Sequence, residues 1–184
     1  MLVGLFAAAC GSHALAAEED LAGLAGTWRF DPANSSDLSP WQTLDLEIDV
    51  QGSKVTLTRH LGAGRRTFDD VTPLDLSQAV NVVPVEWWSD NRHLGAYIGG
   101  DHTKKVRTEV LDGGRILRTI TDLVLDTQQG ARAVNILTDY KLSVSGTQLT
   151  VVELRSTRNQ PIVYVFKRPG DKTLSTASEG ENAE

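Results

Sequence analysis

Leu44-Asp45-Leu46-Glu47-Ile48-Asp49-Val50 places an apolar side chain at every even position and a carboxylate at every odd one. Successive side chains of a strand point to opposite faces, so this stretch reads as a strand with one buried face and one wet face. Gln51-Gly52-Ser53 supplies a turn, and Val55, Leu57 and Leu61 carry the apolar face onto the next strand. Arg59 falls in register among them. Gly62-Ala63-Gly64 turns the chain again, into residues 65–71.

The same rhythm returns further along. Residues 106–111 meet Asp112-Gly113-Gly114, a hairpin signal because glycine accepts the positive φ of primed turns. Residues 115–126 follow, then Thr127-Gln128-Gln129-Gly130, then a strand with an expected inward face of Val134, Ile136, Thr138, Tyr140 and Leu142. Ser145-Gly146-Thr147 and Arg158-Asn159-Gln160-Pro161 introduce strands over 149–155 and 162–167. Roughly eight to ten strands in sequential hairpins predict an all-β fold, a single antiparallel up-and-down barrel. Closure is expected because it removes exposed sheet edges. Residues 73–100 break the rhythm, and Pro84 within the apolar run 80–85 marks an edge strand or a loop.

The two ends read differently. Residues 2–10 form a short apolar run, and Ala14-Leu15-Ala16 precedes the acidic Ala17-Glu18-Glu19-Asp20, the pattern after which a signal peptidase cuts. The expected organisation is a signal peptide over 1–16, a linker over 17–24, the barrel over 25–169 and a disordered acidic tail over 170–184. The apolar run is too short to span a bilayer, which takes about 20 residues. Cys10 is the only cysteine, so no intrachain disulfide is possible. Ala8-Ala9-Cys10-Gly11 partly matches a lipobox, which makes Cys10 a candidate lipid anchor and the leader one that ends before it. Either processing route exports the domain, to the periplasm or the extracellular space. Half of the formal charge of −6 sits in residues 18–20 and half in the tail, which leaves residues 21–169 neutral. A neutral body lacks the clustered basic surface that nucleic acid requires.

Gly26-Thr27-Trp28 matches the G-x-W signature that opens the first strand of lipocalins. Trp28-Arg29-Phe30-Asp31-Pro32-Ala33-Asn34-Ser35 resembles the W-x-x-D-P-A-x-S opening of a group of exported bacterial lipocalin-like proteins of unknown function. Thr138-Asp139-Tyr140 is similar to the second lipocalin signature, T-D-Y, although it lies farther from G-x-W than is typical, and residues 73–100 account for the excess as an insertion. Arg168 stands where the third signature places a basic residue that packs across the tryptophan. The resemblance covers most of residues 25–168 and implies a lipocalin-like barrel with Gly26, Trp28 and Arg168 as structural signature. Those signatures close one end of a barrel and do not identify a ligand.

Trp87, Trp88 and Tyr97 are candidates to line a barrel mouth, where such folds hold small molecules; the alternative is an insertion packed down on the barrel. Arg59, Glu153 and Arg155 share registers with apolar residues, and buried charges must pair or meet a polar ligand. Ile116, Arg118, Ile120, Asp122 and Val124 alternate apolar with charged along one line. No histidine or cysteine spacing suits a metal centre, no G-x-S-x-G occurs, and Gly95 to Gly100 lack the G-K-[ST] of a phosphate loop. A haem held by one histidine needs no motif, and His93 is the residue on which it would fall, against the plainer reading of a surface-loop histidine. The sequence thus predicts no catalytic residues, metal or cofactor. It points to an envelope binding protein holding a small, partly apolar ligand; the alternative is an interaction module with a filled barrel that meets an envelope partner through residues 73–100.

Overall fold

The alternation at 44–50 becomes a strand whose even positions are buried and whose odd ones face outward. The computed structural model describes residues 21–89 and 96–170. Eleven strands are present among them: β1 (Gly26–Phe30), β2 (Thr43–Gln51), β3 (Lys54–Ala63), β4 (Arg66–Asp75), β5 (Asn81–Pro84), β6 (Tyr97–Ile98), β7 (Thr103–Leu111), β8 (Ile116–Thr127), β9 (Gly130–Leu142), β10 (Gln148–Arg155) and β11 (Ile162–Lys167). Ten of them lie in one ladder ordered β4-β3-β2-β1-β11-β10-β9-β8-β7-β5, with β6 paired to β8. All pairings are antiparallel, and β1 meets β11, so the sheet rolls into a nearly closed barrel.

The hydrogen-bonded circuit is interrupted at one place, between β4 and the β5–β7 pair. Side chains stitch this seam. Asn81 accepts from the Asp75 amide at 2.7 Å and donates to the Asp75 carbonyl at 3.2 Å, and Lys104 Nζ donates to Thr72 Oγ1 at 2.6 Å. Pro73 and Pro84 each lie on a strand that borders the seam, where a missing N–H forfeits no ladder bond on the free side.

Local chemistry sets the turns. Between β7 and β8, Asp112 and Gly113 both have positive φ, +54° and +58°, the backbone twist that matches flanking strands. The Asp31-Pro32-Ala33-Asn34-Ser35 motif is a clamp. Asp31 caps a short 3-10 turn, Pro32–Asn34, and takes a hydrogen bond from Asn34 at 2.9 Å and an ion pair from Lys167 at 2.9 Å. Ser35 and Ser36 then accept from the Val165 and Val163 amides at 2.8 and 3.0 Å, fastening this segment to β11.

One expectation is corrected. Residues 17–24 were expected to be a linker, yet Leu21 and Leu24 are completely buried and belong to the main apolar cluster. On β8 the inward line is Leu117, Thr119, Leu123 and Leu125; Ile116, Arg118, Ile120 and Asp122 lie on the other face. Both lines alternate with similar contrast, and only the charged one can stay hydrated. The expected leader with Cys10, the tail beyond Gly170 and His93 lie outside the described residues. Among the described residues, no helix is long and apolar enough to cross a membrane.

Candidate functional site

Strand alternation fills the barrel with two apolar clusters. The larger contains Leu21, Leu24, Trp28, Ile48, Val55, Leu117, Leu149 and Phe166; the smaller contains Ala96, Ile98, Leu123, Leu125, Val134 and Ile136. Trp28 closes one end. Its Nε1 donates to the Leu24 carbonyl at 2.8 Å, and the Arg168 guanidinium sits 4.2 Å above its ring. Arg168 also donates to the carbonyls of Gly23, Ala25 and Gly146, tying three segments together. Gly26 has φ of +112°, and a Cβ there would approach Arg168 Nη1 to 3.1 Å, so both conformation and space call for glycine.

Polar side chains line the interior between the clusters. Across neighbouring strands Glu153 is opposite Thr138, and Thr138 is opposite Thr119; all three are buried. Arg59 is opposite Asp70 and forms an ion pair with it, and Arg155 pairs with Glu153. These groups, with Thr72, Thr121, Lys104 and Tyr140, surround a cavity of about 80 Å³. Its apolar walls come from Leu57, Val106, Leu123 and Ile136. At ~30 Å³ per water, this is room for two or three waters or for a molecule of about four non-hydrogen atoms.

Residues 87–89, which follow β5, cover this layer. Ser89 accepts from Arg59 at 2.7 Å through its hydroxyl and from Trp41 Nε1 at 2.8 Å through its carbonyl. Trp41, Phe68 and Trp87 meet in edge and tilted contacts with ring centroids 5.5–6.0 Å apart. Trp88 lines the cavity under the Arg155 guanidinium, 5.5 Å from its ring. Its Nε1 is buried with no hydrogen-bond partner among the described residues.

Burial and neighbouring charges set the protonation of the layer. Burial, the largest single influence, would lower the Arg59 pKa, but Asp70, Tyr140 and Glu153 together raise it. Burial works against the Asp70 carboxylate too, yet Arg59 and Lys104 hold it below its ordinary range. Burial lowers the Lys104 ammonium, with Asp70 opposing and Arg59 assisting. Burial together with Arg59 pushes the Arg155 guanidinium down to about 9, which keeps it cationic at neutral pH. Burial lifts the Tyr140 phenol to about 12, so it remains a neutral donor.

Of the residues singled out in the sequence, Arg59, Trp88, Glu153 and Arg155 come together at this cavity. Trp87 packs into the aromatic group above it and against the main cluster. Tyr97 is 71% exposed and lies outside the cavity, because on the two-residue strand β6 it is Ile98 that turns inward. Lys104, Thr119 and Thr121 escaped sequence reading. The signal for Lys104 was its i, i+2 register with Val106 on β7, the same signal that exposed Arg59. Among the described residues, no group of three or more His, Cys, Asp or Glu is placed to hold a metal ion. No protein-family model matches the chain, and no curated protein matches it.

Proposed function

We propose that this protein is an exported, non-enzymatic binding protein of the cell envelope that holds a small ligand in the polar layer of its barrel. The carrying observation is the cavity of about 80 Å³ lined by charged and hydroxyl side chains between two apolar clusters. A filled structural barrel needs no such layer, because burying ionic groups is at best neutral compared with packing apolar ones. The buried, unpartnered Trp88 N–H supports the reading, since a buried donor without an acceptor is unfavourable until something supplies one. The leader pattern over 1–16 supports export, and the G-x-W opening supports a lipocalin-like origin. A ligand fitting this cavity is smaller and more polar than the partly apolar molecule suggested by the sequence.

A second reading, docking of an envelope partner through residues 73–100, is favoured by exposed Val80 and Val82, with Val71 of β4 also exposed. Native mass spectrometry of the chain purified from its own envelope, before and after mild denaturation, separates the two. A mass excess of small-molecule size that is released on unfolding is the expected result. A bare monomer mass overturns the carrier reading, and co-purification of a second polypeptide transfers weight to the partner reading.

A further inference from the structure

The cavity's own groups define the chemistry of a ligand more closely than its size does. Among the described lining residues, three are cationic, Arg59, Lys104 and Arg155, and two are anionic, Asp70 and Glu153. Arg59 is paired with Asp70 and Arg155 with Glu153. Lys104 has no carboxylate to itself: it shares the field of Asp70 with Arg59, and its hydrogen bond to a described side chain goes to the neutral hydroxyl of Thr72, at 2.6 Å. A further group at the cavity, the buried Trp88 N–H, is a donor without an acceptor among the described residues. A cation that shares its carboxylate, beside an idle donor, suits an anion with several acceptor lone pairs.

Shape narrows this further. Leu57, Val106, Leu123 and Ile136 give the same cavity an apolar side that suits a methyl or methylene group. Thr72 also stands on β4, one border of the seam, and Lys104 on β7 directly behind β5, the other border, so the pair spans the one place where the hydrogen-bonded circuit is open. We infer that the barrel binds a short-chain monocarboxylate, with Lys104 as its counter-charge and the seam as its entry. This inference rests on the carrier reading above and gives it a ligand class.

The test is a titration of the isotope-labelled full chain with acetate, with acetamide as the neutral isostere, followed by two-dimensional amide NMR at constant ionic strength. Four tryptophans give four indole N–H signals, and those of Trp28 and Trp41 already have carbonyl acceptors. Acetate should saturate and shift the Trp88 indole signal together with the Thr119 and Thr138 amides, while acetamide binds far more weakly. Lys104→Gln keeps a donor for Thr72 but removes the charge, and should weaken acetate about 10- to 100-fold, the range for losing a hydrogen bond to a charged group. Thr72→Val keeps the charge and should retain binding, which guards against a folding artefact at the seam.

Equal binding of acetamide and acetate, or unaltered acetate binding by a folded Lys104→Gln chain, overturns the carboxylate assignment. Silence towards acetate alongside a native mass excess of another size also overturns it while leaving the carrier reading intact. Silence together with a bare native mass overturns both.

Discussion

Trp28 fills the closed end of the barrel, gives its N–H to Leu24 and carries Arg168 on its ring face. It is fully buried, so truncation removes aromatic packing, a hydrogen bond and a cation–π contact together. Trp28→Ala should lower stability by about 3–5 kcal/mol in denaturant unfolding, and an unchanged midpoint would remove its role as the plug. His60, on the outer face, illustrates a titratable residue with the opposite exposure. Its Nδ1 lies 2.8 Å from Asp69 and its Nε2 3.5 Å from Glu47, and these carboxylates, Asp69 foremost, raise its pKa above 6.5 against the effect of burial. A raised folded pKa means that the native state holds the proton more tightly. The resulting stabilisation is complete below the unfolded pKa and disappears as pH rises through the folded one. The side chain is partly exposed, so the effect on stability is small, and the readout is the imidazole NMR titration itself. Its midpoint should lie above 6.5 and fall in Asp69→Asn; a wild-type midpoint at or below 6.5 would remove the ion pair as its cause.

At the level of strands, the hairpins were legible wherever one face was apolar and the other acidic, as on β2, and wherever glycine marked the turn, as at Asp112-Gly113. The inward face of β9 was legible for the same reason, with Val134, Ile136, Thr138 and Tyr140 all buried. β8 was not, because it carries apolar residues on both faces, and alternation alone cannot choose between two half-apolar lines. The charges on its outer face are satisfied there. Arg118 grips Asp139 with two hydrogen bonds of 2.7 and 3.0 Å, while Lys141 approaches the same carboxylate to 3.3 Å. The polar layer was half legible: Arg59, Glu153 and Arg155 announced themselves as charges in apolar registers. The carboxylate that pairs with Arg59 did not, because Asp70 becomes a neighbour of the layer only through strand pairing and curvature, which no single strand encodes.

Over the whole molecule, the chain makes two separate cuts in one cylinder. Its first and last described strands, β1 and β11, pair with each other, and Arg168 reaches Gly23 at 2.8 Å. Its hydrogen-bonded circuit is instead broken between β4 and β5, which the chain crosses at residues 76–80. The molecule is therefore suited to circular permutation. A short linker from residue 169 to residue 21, with new termini opened within 76–80, would retain every strand pairing and bring the covalent gap onto the seam. Such a permutant should fold with the wild-type β-sheet spectrum and Trp28 still buried; failure to fold would assign the cylinder's integrity to the 76–80 connection rather than to its ladders. If it folds, the former seam becomes a pair of free ends, and the barrel can be read as a belt with its buckle moved to the place where it was already unfastened.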